Sequence, residues 1–127
     1  MEKQKIKSFT DLYAWREGHK LVLEIYKITK NFPKEEQFGL TIQLRRAAVS
    51  FTSNIAEGFT RKSSKEKYRF YNNAKASLTE IQNQLLIARD VGYLSRESFN
   101  KIAQQSVITN RLISGLLKST RQKKYES

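Results

Sequence analysis

The sequence of 127 residues has no cysteine, a single proline, a single histidine and only five glycines. Without cysteine, disulfides, thiolate chemistry and cysteine-ligated zinc sites are excluded. So few prolines and glycines favour a small number of long helices over many short strands. No apolar run approaches the roughly 18 residues of a membrane span, and the first nine residues lack the apolar core of a signal peptide. We therefore expect one soluble, cytoplasmic domain, residues 1–127.

Acidic residues are also scarce, since 24 Lys and Arg stand against 12 Asp and Glu, a net charge of +12. Three segments carry most of this charge: residues 1–8 have a net charge of +2, residues 61–75 of +5 and residues 117–127 of +3. The rest of the chain is nearly balanced. Such clusters are typical of proteins that bind a polyanion, because each neutralised phosphate releases counterions. A solvated surface that only improves solubility is the alternative.

Hydrophobic periodicity predicts four helices separated by short connections. They are expected at about residues 11–31, 34–57, 64–91 and 96–118, with basic tails at 1–8 and 118–127. Helices of this length joined by short loops are antiparallel to their neighbours in sequence. The fold class is therefore predicted as all-α, an up-down-up-down antiparallel four-helix bundle.

The predicted helix boundaries rest on a few residues with special backbone preferences. Pro33 ends the first helix, because it lacks the amide hydrogen that a helix needs. Gly39 in the second helix predicts either a close backbone contact or an irregular first turn. Gly58 is expected to end that helix in the left-handed conformation. Ser63 and Glu66 have the spacing of a capping box at the start of the third helix.

The second predicted helix has apolar residues on two sides. One apolar stripe consists of Leu40, Leu44, Ala48, Phe51 and Ile55, and the other of Ile42, Val49 and Ala56. A polar stripe lies between them, with Gln43, Arg46, Ser50, Ser53, Asn54 and Glu57. A helix of this kind is expected to be buried twice, by its own bundle and by a second subunit. The sequence therefore predicts a homo-oligomer.

The polar stripe has two interpretations. It is a hydrogen-bonded seam that sets helix register, formed by Gln43, Arg46, Ser50, Asn54, Glu57 and Gly58, or it is a ligand or catalytic site. The catalytic interpretation requires Arg46, Asn54 and Glu57 to line an open cleft. Whether the Arg45 side chain faces solvent or an interface is left open.

The motifs of common catalytic and cofactor sites are missing from the sequence. It has no HExxH, P-loop, GxGxxG or Gly-x-Ser-x-Gly pattern, and no Glu-x-x-His pair for a di-iron site. His19 has helical spacing with Trp15 and Tyr26, which is typical of a packed side chain. We therefore predict a non-enzymatic protein with no catalytic residues, no cofactor and no metal.

Candidate nucleic-acid-binding residues gather at the start of the third predicted helix and the end of the fourth. Lys62, Lys65 and Arg69 lie opposite the apolar stripe of the third helix. Tyr68 and Phe70 are nearby, and an exposed aromatic can stack on a base, although core packing is favoured for Tyr68. No RNP, KH or zinc-finger pattern is present, so phosphate contacts should dominate. The candidate set is Arg61, Lys62, Lys65, Lys67, Arg69, Lys75, Lys118, Arg121, Lys123 and Lys124.

Several motifs together resemble a known family. The segments "FPKEEQFGL", "QLRRAAVS", "SNIAEGFTR" and the third-helix pattern that ends in "GYL" are similar to those of 23S rRNA intervening-sequence proteins. The resemblance covers roughly residues 9–94 and, more loosely, the fourth helix. It implies an up-down four-helix bundle that assembles into a ring-like homopentamer, with a poorly defined biochemical role.

The same resemblance extends to the accessory variability proteins of diversity-generating retroelements. These are basic pentameric barrels that bind a reverse transcriptase and its template RNA, so the resemblance implies RNA or an RNA/DNA hybrid and a reverse transcriptase as partners. We predict an oligomeric nucleic-acid-binding scaffold without a membrane partner. The alternative is a protein-interaction module that docks an acidic or polymerase partner without contacting nucleic acid.

Overall fold

The computed structural model describes the backbone of residues 5–126 and the side chains of residues 5–121. This part of the chain is all helical and contains no strand. The helices are α1 (Tyr13–Thr29), α2 (Leu40–Thr60), α3 (Ser64–Asp90) and α4 (Arg96–Glu126), and 3-10 turns span Phe9–Asp11 and Lys34–Glu36. The prediction of an all-α chain with four helices is confirmed.

Each helix packs against its neighbours in sequence, and α4 returns to pack against α1. Side-chain hydrogen bonds link each of these four helix pairs, and the short connections make consecutive helices antiparallel. These hydrogen bonds are Arg45 Nε to Thr29 Oγ1 (2.9 Å), Ser50 Oγ with Ser77 Oγ (2.9 Å), Lys75 Nζ to Ser114 Oγ (2.8 Å) and Gln105 Nε2 to the Glu17 carbonyl (3.0 Å). The helices therefore alternate up and down in a four-helix bundle.

The apolar stripes identified in the sequence meet along the axis of the bundle. Its fully buried large side chains are Leu21, Ile25, Leu44, Phe51, Ile55, Leu78, Ile81, Leu85, Ile102, Thr109 and Ile113. The buried Thr109 is satisfied locally, since its hydroxyl donates to the Gln105 carbonyl one turn earlier. One stripe of α2 thus lies in the core, as predicted, and supplies three of these residues.

The turn before α2 explains the unusual position of Gly39. Residues Lys34–Glu36 form a separate 3-10 turn, and α2 begins only at Leu40 with Gly39 as its N-cap. The Leu40 amide donates to Glu36 Oε1 at 3.1 Å, and the Tyr93 hydroxyl donates to Glu36 Oε2 at 2.8 Å. These two donors, the Leu40 amide first, lower the pKa of the Glu36 carboxyl. Of the two alternatives predicted for Gly39, the irregular first turn is confirmed, and the predicted start of the second helix at about residue 34 is wrong.

The fourth helix is longer than expected. Its predicted end at residue 118 is wrong, because α4 continues to Glu126. Leu117 and Thr120 are still buried, so the apolar face that holds α4 on the bundle extends past that point. The basic residues Lys118 and Arg121 consequently lie on a packed helix rather than in a tail.

Gly58 does not end α2 in the left-handed conformation, and that prediction is wrong. The helix continues through Gly58 to Thr60, and Gly92 is the one described glycine with a positive φ. Gly58 is buried because α3 crosses α2 there. A Cβ at this position would lie 2.7 Å from Tyr71 Cε1 and 2.9 Å from Phe70 Cβ. The glycine is needed for the close approach of two helices rather than for a turn.

Replacing Gly58 by alanine should destabilise the protein, because a methyl group there overlaps two packed aromatic side chains. We expect Gly58→Ala to lower the free energy of unfolding by about 1–3 kcal/mol, the usual cost of overpacking. Urea unfolding followed by circular dichroism measures the change.

Gly115 supplies a matched control on α4, since a Cβ there meets no atom within 4 Å. Gly115→Ala should raise the free energy of unfolding by about 0.5–1 kcal/mol through helix propensity alone. Equal stabilisation by both substitutions would contradict the close helix crossing at Gly58.

Candidate nucleic-acid interface

The up-down order brings the three basic segments of the sequence to one end of the bundle. At this end, named the basic end, α1 and α3 begin while α2 and α4 finish. Its described cations are Lys5, Lys7, Arg16, Arg61, Lys62, Lys65, Lys67, Arg69, Lys75, Arg111, Lys118 and Arg121, beside the carboxylates Asp11, Glu57 and Glu66. The side chains of the candidates Lys123 and Lys124 lie outside the described residues. Segments more than 40 residues apart in sequence thus contribute to a single surface.

The opposite end of the bundle has no such excess of positive charge. It contains the carboxylates Glu24, Glu35, Glu36, Asp90 and Glu97 beside the cations Lys27, Lys30, Lys34, Arg45, Arg46, Arg89, Arg96 and Lys101. Arg89 Nε contacts Asp90 Oδ1 at 2.8 Å, so part of this charge is neutralised directly. The molecule is therefore electrostatically polar along its long axis.

Two arginines of the basic end are oriented by one aromatic ring. The Arg61 guanidinium lies 4.5 Å from the centroid of the Phe70 ring, and the Arg69 guanidinium lies 5.2 Å from it. Cation–π contacts of this kind hold the planar guanidinium while leaving its N–H donors available to an anion. Phe70 thus positions two guanidinium groups instead of offering an open surface to a base, as one interpretation of the sequence had it.

Lys67 has a structural role that the sequence did not indicate. Its Nζ donates to the Phe59 carbonyl at 2.6 Å and to the Gly58 carbonyl at 3.4 Å, and it lies 5.3 Å from the Phe59 ring. Both carbonyls belong to the last turn of α2: that of Phe59 has no donor within the helix, and that of Gly58 also accepts from the Arg61 amide at 3.1 Å. The ammonium group therefore caps α2 and counters the negative end of its dipole.

Lys75 lies deeper than the other candidates, in a groove between α3 and α4. It is half-buried, and its Nζ donates to the Ser114 hydroxyl at 2.8 Å. The groove has a volume of about 330 Å³ and is lined by Tyr68, Asn72, Lys75, Ser114, Leu117, Lys118 and Arg121. Lys62 and Lys65, in contrast, are exposed at the start of α3. The structure thus divides the candidates between a groove and an open surface.

Tyr71 is a buried titratable group near this end of the bundle. Burial raises the pKa of the Tyr71 hydroxyl to about 12, so it stays neutral beneath the cations. Among the described residues no group of three potential metal ligands occurs, and no described helix is long and apolar enough to cross a membrane.

The polar stripe of α2 is divided by the structure. Ser50 bonds to Ser77 of α3, and the Asn54 amide donates to the Ser50 carbonyl at 2.8 Å, which forms a seam between the two helices. Asn54 therefore bonds within its own helix and does not bridge neighbouring backbones. Arg46 and Glu57 are exposed and lie about 16 Å apart along α2, eleven residues at the rise of a helix. The stripe does not gather into one cleft.

Arg45, which the sequence left unassigned, packs on α1. Its Nε donates to Thr29 Oγ1, and its guanidinium lies 4.6 Å from the centroid of the Tyr26 ring. The contact places a cation beside the last turn of α1, where the helix dipole favours it. Only a tertiary contact distinguishes this arginine from the exposed Arg46.

Removing the ammonium group of Lys67 should weaken the end of α2. We expect Lys67→Met to lower the free energy of unfolding by about 1–2 kcal/mol, because two carbonyls lose a charged donor. Thermal and urea unfolding measure the effect. Lys65→Met, on the exposed side of the same turn, is the control and should change stability by less than about 0.5 kcal/mol. Equal effects of the two substitutions would rule out the capping role.

Comparison with known proteins agrees with the geometry of the bundle. A crystal structure of a protein of unknown function from the S23 ribosomal protein family of Bacteroides thetaiotaomicron matches with a TM-score of 0.77 and 21% sequence identity. The match covers 83% of this chain and 98% of that chain, and it establishes a shared fold. No curated protein matches the sequence. Residues 10–115 match the family described as 23S rRNA-intervening sequence protein. The four-helix chain with its basic end therefore belongs to the 23S rRNA-intervening sequence protein family.

Proposed function

We propose that the protein is a non-catalytic nucleic-acid-binding scaffold that holds RNA by its phosphates at the basic end. The observation that carries the proposal is the convergence of three separate basic segments on one end of the bundle. Among the described residues one salt bridge lies at this end and joins Arg16 to Asp11, and none includes Arg61, Lys62, Lys65 or Arg69. A surface of this kind attracts a polyanion, and the family name records an origin within ribosomal RNA genes.

The arrangement favours phosphate contacts over the reading of bases. Arg61 and Arg69 present planar guanidinium groups that suit phosphate oxygens, and Lys62 and Lys65 add exposed ammonium groups beside them. These side chains surround the start of α3, where backbone amides without intrahelical partners also favour an anion. Binding is therefore expected to be strongly dependent on salt and weakly dependent on sequence.

Neutralising the exposed cations at the start of α3 should weaken RNA binding without unfolding the protein. We expect the variant Lys62→Ala/Lys65→Ala/Arg69→Ala to lower affinity for single-stranded RNA about tenfold at low salt. The slope of log affinity against log salt should fall by about 2, since each lost phosphate contact contributes about 0.7. Fluorescence anisotropy with labelled RNA across a salt series measures both quantities.

The matched control removes the same charge from the opposite end, in Lys27→Ala/Lys30→Ala/Lys34→Ala. These three lysines are exposed, so the control separates local contacts from the effect of net charge. Equal losses in both variants, or no RNA binding at low salt in the parent protein, would contradict the proposal. Displacement of RNA by polyglutamate at equal charge would instead favour docking of an acidic protein partner.

The second apolar stripe of α2 supports assembly into a homo-oligomer. Val49 is 43% exposed, and Ile42 and Ala56 are half-buried on the outer surface. Ile42 and Val49 line a mainly apolar groove with Tyr26, beside Arg45 and Arg46, on the face that α1 and α2 share. We propose that a second copy of the chain covers this face, and five subunits in a ring is the number that the family resemblance implies.

A charge placed in this apolar face should disrupt the assembly. We expect light scattering to give about five times the 14.8 kDa mass of one chain, and Val49→Lys to reduce it towards the monomer. Val107→Lys is the control, because Val107 is 48% exposed on α4, outside the α2 stripe. A parent protein of monomer mass, or the same dissociation in both variants, would refute the proposed interface. A reverse transcriptase partner stays a prediction from the resemblance.

A further inference from the structure

The groove between α3 and α4 continues into a second hollow along α3. The first compartment contains Lys75, Lys118 and Arg121, and the second is lined by Lys65, Glu66, Tyr68, Arg69 and Asn72. Tyr68 and Asn72 line both compartments, so these two residues form their common wall. The volumes are about 330 Å³ and about 440 Å³, within the range of about 300–1,000 Å³ seen for small-ligand pockets.

The charge of the first compartment is not neutralised by the groups that line it. Lys75 is half-buried, and its Nζ donates to a neutral group, the Ser114 hydroxyl. Among residues 5–121 no carboxylate lines this compartment, and no ion pair includes Lys75, Lys118 or Arg121. A partly buried ammonium group without a counter-charge favours the entry of an anion.

A groove of similar position at the opposite end lacks this property. It lies between α1 and α4, and there Lys27 and Lys101 are accompanied by Glu24. The Glu24 carboxylate neutralises part of the local positive charge, so this groove attracts an external anion less strongly. The excess of positive charge in the groove between α3 and α4 is therefore specific to the basic end and does not follow from the high lysine content alone.

The wall between the compartments offers the groups that a nucleotide base requires. Tyr68 is half-buried and packs against the core on one side, while its ring lines the groove on the other. The amide of Asn72 is exposed and makes no hydrogen bond within residues 5–121, so it is available to a base edge. An aromatic ring beside a row of cations is the arrangement by which proteins hold unpaired strands.

The geometry points to a binding site for single-stranded nucleic acid in this groove, with phosphates on Lys75, Lys118 and Arg121 and a base against Tyr68. A duplex does not fit inside the groove, because the axes of packed helices are only about 8–10 Å apart. In a duplex the base edges are also occupied by the complementary strand. The inference rests on the proposed function and narrows it to unpaired strands. RNA and DNA share the phosphate and base groups that the groove contacts.

Fluorescence anisotropy of the full chain tests the inference with three probes of equal phosphate number. The probes are an oligouridine, an oligothymidine and a fully paired RNA hairpin. Both single strands should bind at least fivefold more tightly than the hairpin at the same salt concentration. Tighter binding of oligouridine than of oligothymidine would assign the site to RNA, and equal binding would assign it to either strand.

Substitutions in the common wall and substitutions of the cations are expected to change the affinity and the salt slope in different ways. Tyr68→Leu should lower single-strand affinity about tenfold with an unchanged salt slope, because stacking is lost and charge is kept. Tyr68→Phe keeps the ring and should retain the affinity. Lys75→Gln/Lys118→Gln/Arg121→Gln should lower affinity at least tenfold and reduce the slope by about 2. Lys101→Gln, in the groove at the opposite end, is the control and should leave binding unchanged.

The outcomes distinguish the groove from the wider proposal. Equal affinity for the single strands and the hairpin would overturn the proposed single-strand site in the groove, as would full binding by a folded Tyr68→Leu variant. Either result would leave the proposal of phosphate binding by the open surface intact. If Tyr68→Leu unfolds, the exposed Asn72→Leu takes its place, and an unchanged single-strand affinity there overturns the inference equally. Failure of all three probes to bind at low salt would remove both proposals.

Discussion

The close crossing of α2 and α3 at Gly58 is the contact on which the arrangement of the basic end depends. Because Gly58 has no side chain, the Tyr71 ring lies against the backbone of α2 and draws the first turns of α3 onto its last turn. Lys67 then reaches the carbonyls that end α2, and Phe70 comes to lie beside the guanidinium group of Arg61. A wider crossing would separate these groups. The charged surface is thus shaped by an apolar contact beneath it.

The architecture could be predicted from the sequence because burial repeats with the period of a helix. Leu44 and Ile55 were placed in the core from their spacing alone, and both are fully buried. Gly58 was misassigned because glycine serves two purposes, a left-handed turn and a close helix contact, and one sequence does not distinguish them. The end of α4 was predicted too early because polar and basic residues dominate the sequence after residue 118, although Thr120 is still buried.

The candidate site could be predicted only in part. Charge clusters are visible in the sequence, so the exposed members of the candidate site, such as Lys62 and Lys65, were identified. Their convergence depends on the direction of the helices, and the partners of Lys67 and Lys75 depend on contacts between residues that are distant in sequence. Arg45 and Arg46 are adjacent in sequence, yet only Arg45 has a partner on α1. Tertiary contacts therefore separate structural cations from those that stay available.

The concentration of charge at one end has a kinetic consequence. A molecule with such an electric dipole along its axis turns in the field of a polyanion before the two surfaces touch. The basic end leads the approach, so fewer encounters are lost to wrong orientations and the association rate rises. Added salt shortens the range of this field, to about 8 Å at physiological ionic strength. The folding pattern of the chain, by reversing direction at each connection, thus determines which surface a polyanion meets first.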